Sequence, residues 1–431
     1  MANEIAVWLF NQSVGTLSMV GGRLSFRYSA DWLALPSKVP LSWSLPLGPE
    51  PFDDHQCRAF FAGLLPEGNL RRLIAQQYQV SSQNDFALLS AIGGECAGAI
   101  TFVPAGLSLA TARHAGIKWL DETQLVALLD ELPRRPMLAG REGVRLSLAG
   151  AQDKLPVVFD GQQIGLPLGG QPSTHILKSA IASVEDSVIN EGFCLALAQA
   201  MGLPSARAQI FHVQDRQVLL VARYDRRVDA GGQPVRLHQE DFCQALGVVP
   251  EMKYQNEGGP DLKACFDLLR HATRPSAPQV LRLLDAVVFN ALIGNHDAHA
   301  KNFSLLHAGG APTLAPLYDV LSTAVYEHLT PKMAMKLGSQ YKFTDVRARH
   351  WAQFAEAAGL SKAQTKKRVL RMAKALPLAA TQLQASPAFV DQSIVAKIVA
   401  MIGQRSALTL RRLLEGGNET HVSDRHKPAT L

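Results

Sequence analysis

The sequence lacks the cysteine patterns that mark disulfide-rich and zinc-binding proteins. Its 431 residues include five cysteines, an odd number with no Cys-x-x-Cys pair, which indicates reduced and mostly buried thiols in a cytosolic protein. No apolar run reaches the ~20 residues of a membrane-spanning helix, and the residues after Met1 show no basic stretch before an apolar core. We therefore predict a cytoplasmic chain with no membrane partner.

Charged residues are also few, at 19% of the chain, against 47% hydrophobic residues. This balance is typical of a soluble globular protein, and the length allows two or three packed units. There is no internal repeat and no low-complexity segment. The net charge of +6 suits an anionic partner such as a nucleotide or nucleic acid, although the excess is mild and dispersed.

The most informative stretch is polar and covers residues 295–302. An apolar helix over residues 281–293 is predicted to end at Gly294 and to deliver this stretch. A short hairpin is predicted next, with its two arms at residues 303–306 and 312–316. The hairpin leads directly to a second acidic position.

Asp297, Asn302 and Asp319 are the candidate catalytic and metal-binding groups of this stretch. In phosphoryl transfer, one carboxylate accepts the substrate hydroxyl proton, while an amide and a second carboxylate hold magnesium against the phosphates. The five-residue spacing from Asp297 to Asn302 matches the protein-kinase catalytic loop, although the arginine of that loop is missing. The alternative is an ordinary turn, because Asp and Asn are common turn formers.

Residues 1–105 have the pattern of a small mixed α/β unit. The unit contains no cluster of acids, histidines or cysteines, so we predict a structural or partner-binding role. Its predicted elements are strands at residues 5–10, 23–28, 41–47 and 99–103, helical spacing from Cys57 to Leu73, and a helix over residues 85–92 capped by Asp85.

Residues 106–227 begin with a connector, residues 106–140, that contains one amphipathic helix at 122–132. Strands predicted at 144–148 and 155–159 flank a loop of mostly small residues. Small side chains let backbone amides approach a phosphate, and a lysine adds positive charge. With a single glycine, the loop could equally be an ordinary hairpin. Its residues are Ala149, Gly150, Ala151, Gln152, Asp153 and Lys154.

Lys178 lies on a predicted strand, residues 174–178, and Glu191 lies in the helix that follows a predicted capping box at residues 183–186. This order allows an ion pair that holds the lysine on nucleotide phosphates. The alternative is a surface lysine and a solvated glutamate.

Two further strands, residues 208–213 and 218–223, lead into Arg223, Tyr224 and Asp225. In a kinase-like protein this junction grips adenine through backbone groups. Residues 228–417 are predicted to be mostly helical, and residues 418–431 form a polar tail that we predict to be disordered. The order of the parts predicts an α+β, two-lobed, protein-kinase-like fold with a small N-terminal α/β accessory subdomain and a mostly helical C-terminal lobe.

The wording of five motifs is more specific than their order. The motifs are Leu146-Ser147-Leu148-Ala149-Gly150-Ala151-Gln152-Asp153-Lys154, Thr174-His175-Ile176-Leu177-Lys178, Tyr224-Asp225-Arg226-Arg227, Gln239-Glu240-Asp241-Phe242-Cys243-Gln244 and Asp297-Ala298-His299-Ala300-Lys301-Asn302-Phe303. With these motifs the chain strongly resembles the HipA family, bacterial serine/threonine kinase toxins of the HipA–HipB toxin–antitoxin type, and the resemblance covers nearly its whole length.

The resemblance implies ATP and Mg²⁺ as cofactors and a role for each polar residue of the catalytic stretch. Asp297 would be the catalytic base, and Asn302 and Asp319 would bind Mg²⁺. His299 and Lys301 would position the substrate or the γ-phosphate.

The resemblance also implies that Lys178 and residues 149–154 hold the nucleotide phosphates and that Ser147 is autophosphorylated. Expected partners are a small HipB-like helix-turn-helix antitoxin, operator DNA through that complex, and an aminoacyl-tRNA synthetase as substrate, with the glutamyl enzyme favoured. A catalytically weak corepressor with a kinase fold is one alternative. A small-molecule phosphotransferase is another, but its signature has one residue between His and Asp, whereas His296 and Asp297 are adjacent.

Overall fold

The computed structural model describes residues 3–104 and 116–415. The N-terminal unit contains β1 (Glu4–Leu9), β2 (Gln12–Val20), β3 (Arg23–Tyr28), α1 (Ala30–Ala34), α2 (Asp54–Ala62), α3 (Gly68–Gln77), α4 (Asp85–Ile92) and β4 (Ile100–Pro104). Its strands form one antiparallel sheet in the order β3-β2-β1-β4. The strand predictions at both ends of this unit are confirmed.

The predicted strand at residues 41–47 is wrong. The chain forms a tight turn there, closed by a hydrogen bond from the Leu45 N–H to the Ser42 carbonyl at 3.0 Å. Pro40 and Pro46 bracket the stretch and have no N–H to give to a sheet. The Trp43 N–H instead donates to the Glu240 carboxylate at 3.0 Å.

Two helix predictions in the N-terminal unit need correction. The single helical stretch from Cys57 to Leu73 is two helices, because α2 ends at Gly63 and the chain passes Pro66 before α3 begins. The cap of α4 is Asn84, whose side chain accepts the Ala87 N–H at 3.0 Å. The buried Asp85 instead pairs with two arginines, Arg58 and Arg71.

A second sheet follows, with six antiparallel strands in the order β5-β7-β6-β8-β10-β9. Its elements are β5 (Gly116–Trp119), α5 (Glu122–Glu131), β6 (Lys154–Phe159), β7 (Ile164–Leu168), β8 (His175–Lys178), α6 (Ser187–Ala200), β9 (Ala208–Val213) and β10 (Arg216–Ala222). The helix predicted in the connector is confirmed as α5. Connector residues 105–115 lie outside the described residues.

Two local predictions around this sheet are wrong. Residues 144–148 form no strand, because the segment has no neighbouring strand among the described residues and makes a single bridge between Leu146 and Glu95. The capping box at residues 183–186 is absent, since Asp186 adopts φ 51° and makes no side-chain capping bond. The Ser187 hydroxyl instead accepts the Ile181 N–H at 2.8 Å.

The C-terminal lobe is mostly helical, and the predicted end of the apolar helix at Gly294 (φ 78°) is confirmed, as is the hairpin. The predicted tail lies outside the described residues. The elements are β11 (Arg226–Val228), β12 (Pro234–Arg236), β13 (His238–Asp241), α7 (Phe242–Ala245), α8 (Leu262–Ala272), α9 (Ser276–Ile293), β14 (Ser304–His307), β15 (Thr313–Leu314), β16 (Lys332–Leu337), β17 (Gln340–Lys342), α10 (Ala348–Ala357), α11 (Lys362–Gln384) and α12 (Ser393–Glu415).

Two large hydrophobic cores hold these parts together. One core is shared by the N-terminal unit and the six-stranded sheet, and includes Phe61 and Leu155. The other joins α6 to the C-terminal helices and includes Phe193 and Phe289. Among the described residues, α9 and α12 pass a length and composition test for membrane spans. Both helices contribute to the second core, and core helices of soluble proteins have the same length and apolar composition.

Candidate active site

A cleft of about 750 Å³ lies between the six-stranded sheet and the C-terminal lobe. It is lined from three sides: by the sheet, by the C-terminal lobe, and by Gly63 and Glu67 of the N-terminal unit. Every predicted site residue lines this cleft except Asp153 and Ser147. The sequence-based candidates therefore come together, although they span residues 149–319.

Asp297 is held at the end of α9 by a chain of amide contacts. Asn290 accepts a hydrogen bond from the Asn295 side-chain amide at 2.8 Å, and Asn295 Oδ1 accepts the Asp297 N–H at 3.1 Å. The Asp297 carboxylate accepts the Tyr254 hydroxyl at 2.7 Å. The backbone bonds His299 N to Asp297 O and Asn302 N to His299 O, at 2.8 and 2.9 Å, make the segment compact.

Lys178 lies between two carboxylates, as the sequence predicted for Glu191. Its ammonium donates to Glu191 Oε1 at 2.7 Å and to Asp319 Oδ1. Burial would lower the pKa of Lys178, but Asp319 and Glu191 outweigh that effect and raise it. Burial would likewise raise the pKa of Asp319, yet Lys178 and Lys154 lower it well below its usual range. Lys178 is thus positively charged and Asp319 negatively charged at neutral pH.

Asn302 and Asp319 form a donor set that fits a magnesium ion carried by a nucleotide. Mg²⁺ takes oxygen ligands, and commonly binds one or two carboxylates together with substrate phosphates. Asp319 adopts φ 51°, an uncommon backbone state that clusters at functional sites, and its side chain remains 40% exposed to the cleft. Within residues 3–104 and 116–415 no group of three or more His, Cys, Asp or Glu residues could form a metal cage of its own.

The loop at residues 149–154 approaches the cleft closely at Gly150. This glycine has φ +109°, and a Cβ there would lie 2.5 Å from Lys154 Nζ. Burial lowers the pKa of Lys154. The Gln152 side chain donates to the Ser179 carbonyl at 3.0 Å, whereas the buried Asp153 Oδ1 has no hydrogen-bond partner in the described part of the chain. The loop therefore offers a lysine and closely packed main chain to an anion.

His299 and Lys301 are both buried and differ in how firmly they are held. His299 contacts the Tyr254 ring edge-to-face at 5.1 Å, and its buried Nδ1 accepts or donates no hydrogen bond among the described residues. Burial lowers the pKa of His299. Lys301 donates to Asp241 Oδ2 at 2.9 Å and to the Gly63 carbonyl at 3.1 Å. Lys301 is therefore fixed between the C-terminal lobe and the N-terminal unit.

At the junction of the lobes, the side chains of Arg223, Tyr224 and Asp225 contact other protein groups, which indicates a structural role. Arg223 makes two hydrogen bonds to Asp225, at 2.9 and 2.7 Å, and contacts Glu95 of the N-terminal unit at 3.3 Å. Tyr224 stacks on Tyr318 with ring centroids 5.4 Å apart. The Arg223 N–H donates to the Thr174 carbonyl at 3.0 Å, and the Asp225 carbonyl accepts the Leu237 N–H at 2.8 Å, so part of the main chain is engaged as well. The predicted adenine contact stays a prediction.

Comparison with known proteins identifies the family. Residues 5–103 match the HipA N-terminal domain, and residues 146–380 match the HipA-like C-terminal domain. The chain belongs to the HipA family of serine/threonine protein kinases.

Individual members of the HipA family match most of the chain. A protein named putative kinase Y4mE from Sinorhizobium fredii is 46% identical over 370 residues, which cover 85% of this chain and 88% of the relative. The serine/threonine-protein kinase toxin HipA of Shewanella oneidensis is 32% identical over 381 residues, 84% of this chain and 86% of the relative. HipA in a solved Shewanella oneidensis complex with HipB and operator DNA has TM-score 0.84 and 29% identity, covering 95% and 98% of the two chains. The predicted two-lobed kinase-like fold is confirmed.

Ser147, which the resemblance to HipA proteins marks for autophosphorylation, lies outside the cleft and is fully buried. Its hydroxyl donates to the Leu64 carbonyl at 2.9 Å, and its N–H donates to the Glu95 carbonyl at 2.9 Å. Phosphate transfer to this hydroxyl therefore requires the segment to leave the N-terminal unit first.

Sequence reasoning missed several residues that line or support the cleft. Arg405 on α12 donates to His296 Nε2 at 2.7 Å, and burial together with Arg405 lowers the pKa of His296 to about 4. Tyr254 and Lys253 lie in a loop that the sequence marks only as a break between helices. Nothing in the neighbouring sequence marks Glu67 as a site residue, because an isolated glutamate after a proline resembles many surface residues.

Proposed function

We propose that this chain is an ATP- and Mg²⁺-dependent kinase that acts as the toxin of a toxin–antitoxin pair. The observation that carries the proposal is the meeting, in one cleft, of Asp297, Asn302 and Asp319 with a lysine held between Glu191 and Asp319. A corepressor that only binds would need neither this ion pair nor two oxygen ligands at the same place.

Each residue has a separate part in the proposed reaction. Lys178 and the N–H groups of residues 149–154 would bind the ATP phosphates. Asn302 and Asp319 would hold Mg²⁺, which neutralises charge on those phosphates when it is bound. Asp297 would accept the proton of a serine or threonine hydroxyl. That hydroxyl must first replace the Tyr254 phenol, which donates to the same carboxylate.

Transfer of labelled phosphate from ATP in the presence of magnesium tests the proposal. Asp297→Asn keeps the size of the side chain but cannot accept the proton, so the rate should fall about 10²–10⁴-fold. Asp31→Asn removes the same charge at an exposed position of α1 and serves as the control. Equal rates for the wild type and Asp297→Asn would rule out the assignment of Asp297 as the base.

We propose an aminoacyl-tRNA synthetase as the substrate, with the glutamyl enzyme favoured, so that phosphorylation inhibits translation. The support is the family resemblance together with a relative that is named a toxin. Phosphoproteomics after brief expression of the wild type and of Asp297→Asn should show synthetase phosphopeptides in the wild type alone. Their absence from the wild type would contradict this choice of substrate.

We also propose a HipB-like helix-turn-helix antitoxin as partner, with operator DNA bound through the complex. The support is the similarity to the HipA chain of a complex that contains HipB and operator DNA. Co-expression with the product of the neighbouring gene should give a stable complex on a sizing column. Its DNA affinity should fall steeply as the salt concentration rises, because phosphate contacts release counterions.

Autophosphorylation of Ser147 is proposed as the switch that turns the kinase off. A phosphate adds a charge of about −1.5 to −2 at neutral pH, and Ser147 occupies a fully buried position against a carbonyl oxygen. The modified residue could not return to that position, so residues 149–154 would lose their support from the N-terminal unit and bind ATP poorly.

A further inference from the structure

Glu67 of the N-terminal unit contacts three separate segments of the cleft. Its carboxylate lies 2.7 Å from Lys253 Nζ and 3.7 Å from Lys301 Nζ. Its main-chain N–H donates to the Gly150 carbonyl at 3.0 Å. One residue thereby joins the loop at 149–154, the polar segment at 295–302 and the loop at 253–259.

The two lysines place Glu67 beside the reacting groups. Lys301 immediately precedes Asn302 and follows Asp297 by four residues, in a segment made compact by backbone hydrogen bonds. Lys253 immediately precedes Tyr254, whose hydroxyl donates to the Asp297 carboxylate. A displacement of either lysine would therefore be transmitted to the position of Asp297 or to the residue that covers it.

The Glu67 carboxylate is held by charge and is poorly hydrated. Its side chain is 15% exposed, and its buried Oε1 has no hydrogen-bond partner within residues 3–104 and 116–415. Lys301 has a second partner in Asp241 at 2.9 Å, whereas Glu67 is the only recorded ion-pair partner of Lys253 among the described residues. Charges near such a site interact more strongly than in water, so loss of the Glu67 charge leaves two neighbouring lysines to repel each other.

We propose that Glu67 is a positioning residue of the kinase reaction, and that the N-terminal unit thereby completes the active site. The break between α2 and α3 brings Glu67 to the cleft, and its negative charge holds Lys301 and Lys253 in the arrangement that phosphoryl transfer requires. This inference rests on the proposed kinase function.

The variant Glu67→Gln tests the charge alone, because it keeps the side-chain shape and the N–H that binds Gly150. At saturating ATP and magnesium we expect the rate of label transfer to fall about 10- to 100-fold, the effect of a small misplacement of reacting groups. KM for ATP should change much less than this rate, and the melting temperature should stay close to that of the wild type. The control is Glu50→Gln, which removes the same charge at an exposed position of the same unit.

A double-mutant cycle with Lys253→Met distinguishes positioning from general damage. Lys253→Met should lower the rate less than Glu67→Gln does, and the double variant should be no slower than Glu67→Gln, because contacting residues are not additive. Additive losses of transfer rate in the double variant would overturn the inference. So would a Glu67→Gln rate equal to that of Glu50→Gln, or a lower Glu67→Gln rate that is explained by a fall in melting temperature. A wild type that transfers no phosphate would overturn the kinase proposal itself; an active wild type with an unimpaired Glu67→Gln would overturn only this inference.

Discussion

Lys178 joins three elements through its ammonium group, since it comes from β8, Glu191 comes from α6, and Asp319 follows β15. An unpaired buried charge costs several kcal/mol, so these carboxylates decide where the lysine points. Nucleotide phosphates would compete with the half-exposed Asp319 for the ammonium protons. Glu191, which is 2% exposed, would remain as the fixed partner.

Glu191→Gln should therefore weaken ATP binding more than it slows the chemical step. Without the Glu191 charge, Lys178 would follow Asp319 away from the phosphates, and we expect KM for ATP to rise about tenfold, the effect of about 1.4 kcal/mol. Steady-state kinetics on this variant and on Glu185→Gln, an exposed glutamate just before α6, measure the difference. An unchanged KM in Glu191→Gln would contradict the role of the ion pair.

At the scale of elements, two irregular segments are as important as the helices and strands. The break between α2 and α3 at residues 63–67 lies against the loop at residues 149–154, with a parallel bridge between Pro66 and Gly150. The left-handed backbone of Gly150 is the point where both meet.

Gly150→Ala should reduce ATP affinity at least about tenfold, because the added methyl group would displace the Lys154 ammonium from the phosphate-binding loop and would require a backbone state that L-residues rarely adopt. Gly161→Ala is a matched control. Its φ is +107°, no atom of the described residues lies within 4 Å of its Cβ position, and it belongs to the β6–β7 turn. Both variants should lose similar stability, but only Gly150→Ala should lose nucleotide binding, as measured by calorimetry.

The proposed switch at Ser147 lies two residues before the loop at residues 149–154. Ser147→Asp should bind ATP poorly, since a carboxylate cannot occupy the buried site beside the Leu64 carbonyl. Ser147→Ala should keep activity and lose about 1 kcal/mol of stability with its hydrogen bond. Mass spectrometry after incubation with magnesium and ATP checks the modification. A Ser147-phosphorylated form with undiminished ATP affinity would show that the switch is wrong.

At the scale of the whole molecule, one buried cluster connects the N-terminal unit to the junction of the lobes. Glu95 accepts Arg226 at 2.6 Å, Arg223 at 3.3 Å and also Arg236, and its Oε1 accepts the Ser173 hydroxyl at 2.8 Å. Burial would raise the pKa of Glu95, but the three arginines outweigh it and hold the pKa far below its ordinary value.

This cluster predicts an acid-sensitive stability. Because the pKa of Glu95 is lower in the folded chain than in the unfolded chain, its stabilisation is complete above about pH 4.3 and is lost as the pH falls toward the folded value. At pH 7, Glu95→Gln should lower the free energy of unfolding by about 3–5 kcal/mol, since it leaves buried arginines unpaired. Denaturant unfolding should show this difference narrowing below pH 4, with exposed Glu142→Gln as control. An equal difference in the free energy of unfolding at pH 7 and below pH 4 would contradict this prediction.

The sequence by itself determined the features that depend on neighbours along the chain. A glycine after an apolar run ended α9, and the spacing from Asp297 to Asn302 and the short hairpin before Asp319 predicted three candidate site residues that line one cleft. The same local reasoning was wrong at residues 41–47 and 144–148. Strand propensity is local, but a strand also needs a neighbouring strand, and neither segment has one in the sheets that the described residues form.

Only the tertiary structure decided which distant side chains share the cleft. The Lys301 ammonium bonds a carbonyl 238 residues earlier, and Glu95 bonds Arg236, which is 141 residues away. In the sequence, such charges look like the many that stay in solvent. They become partners because the packing of both hydrophobic cores removes water from them, and a buried charge must then be paired. Neither the spacing of residues nor the hydrophobic periodicity of the sequence indicates which charges become buried and paired.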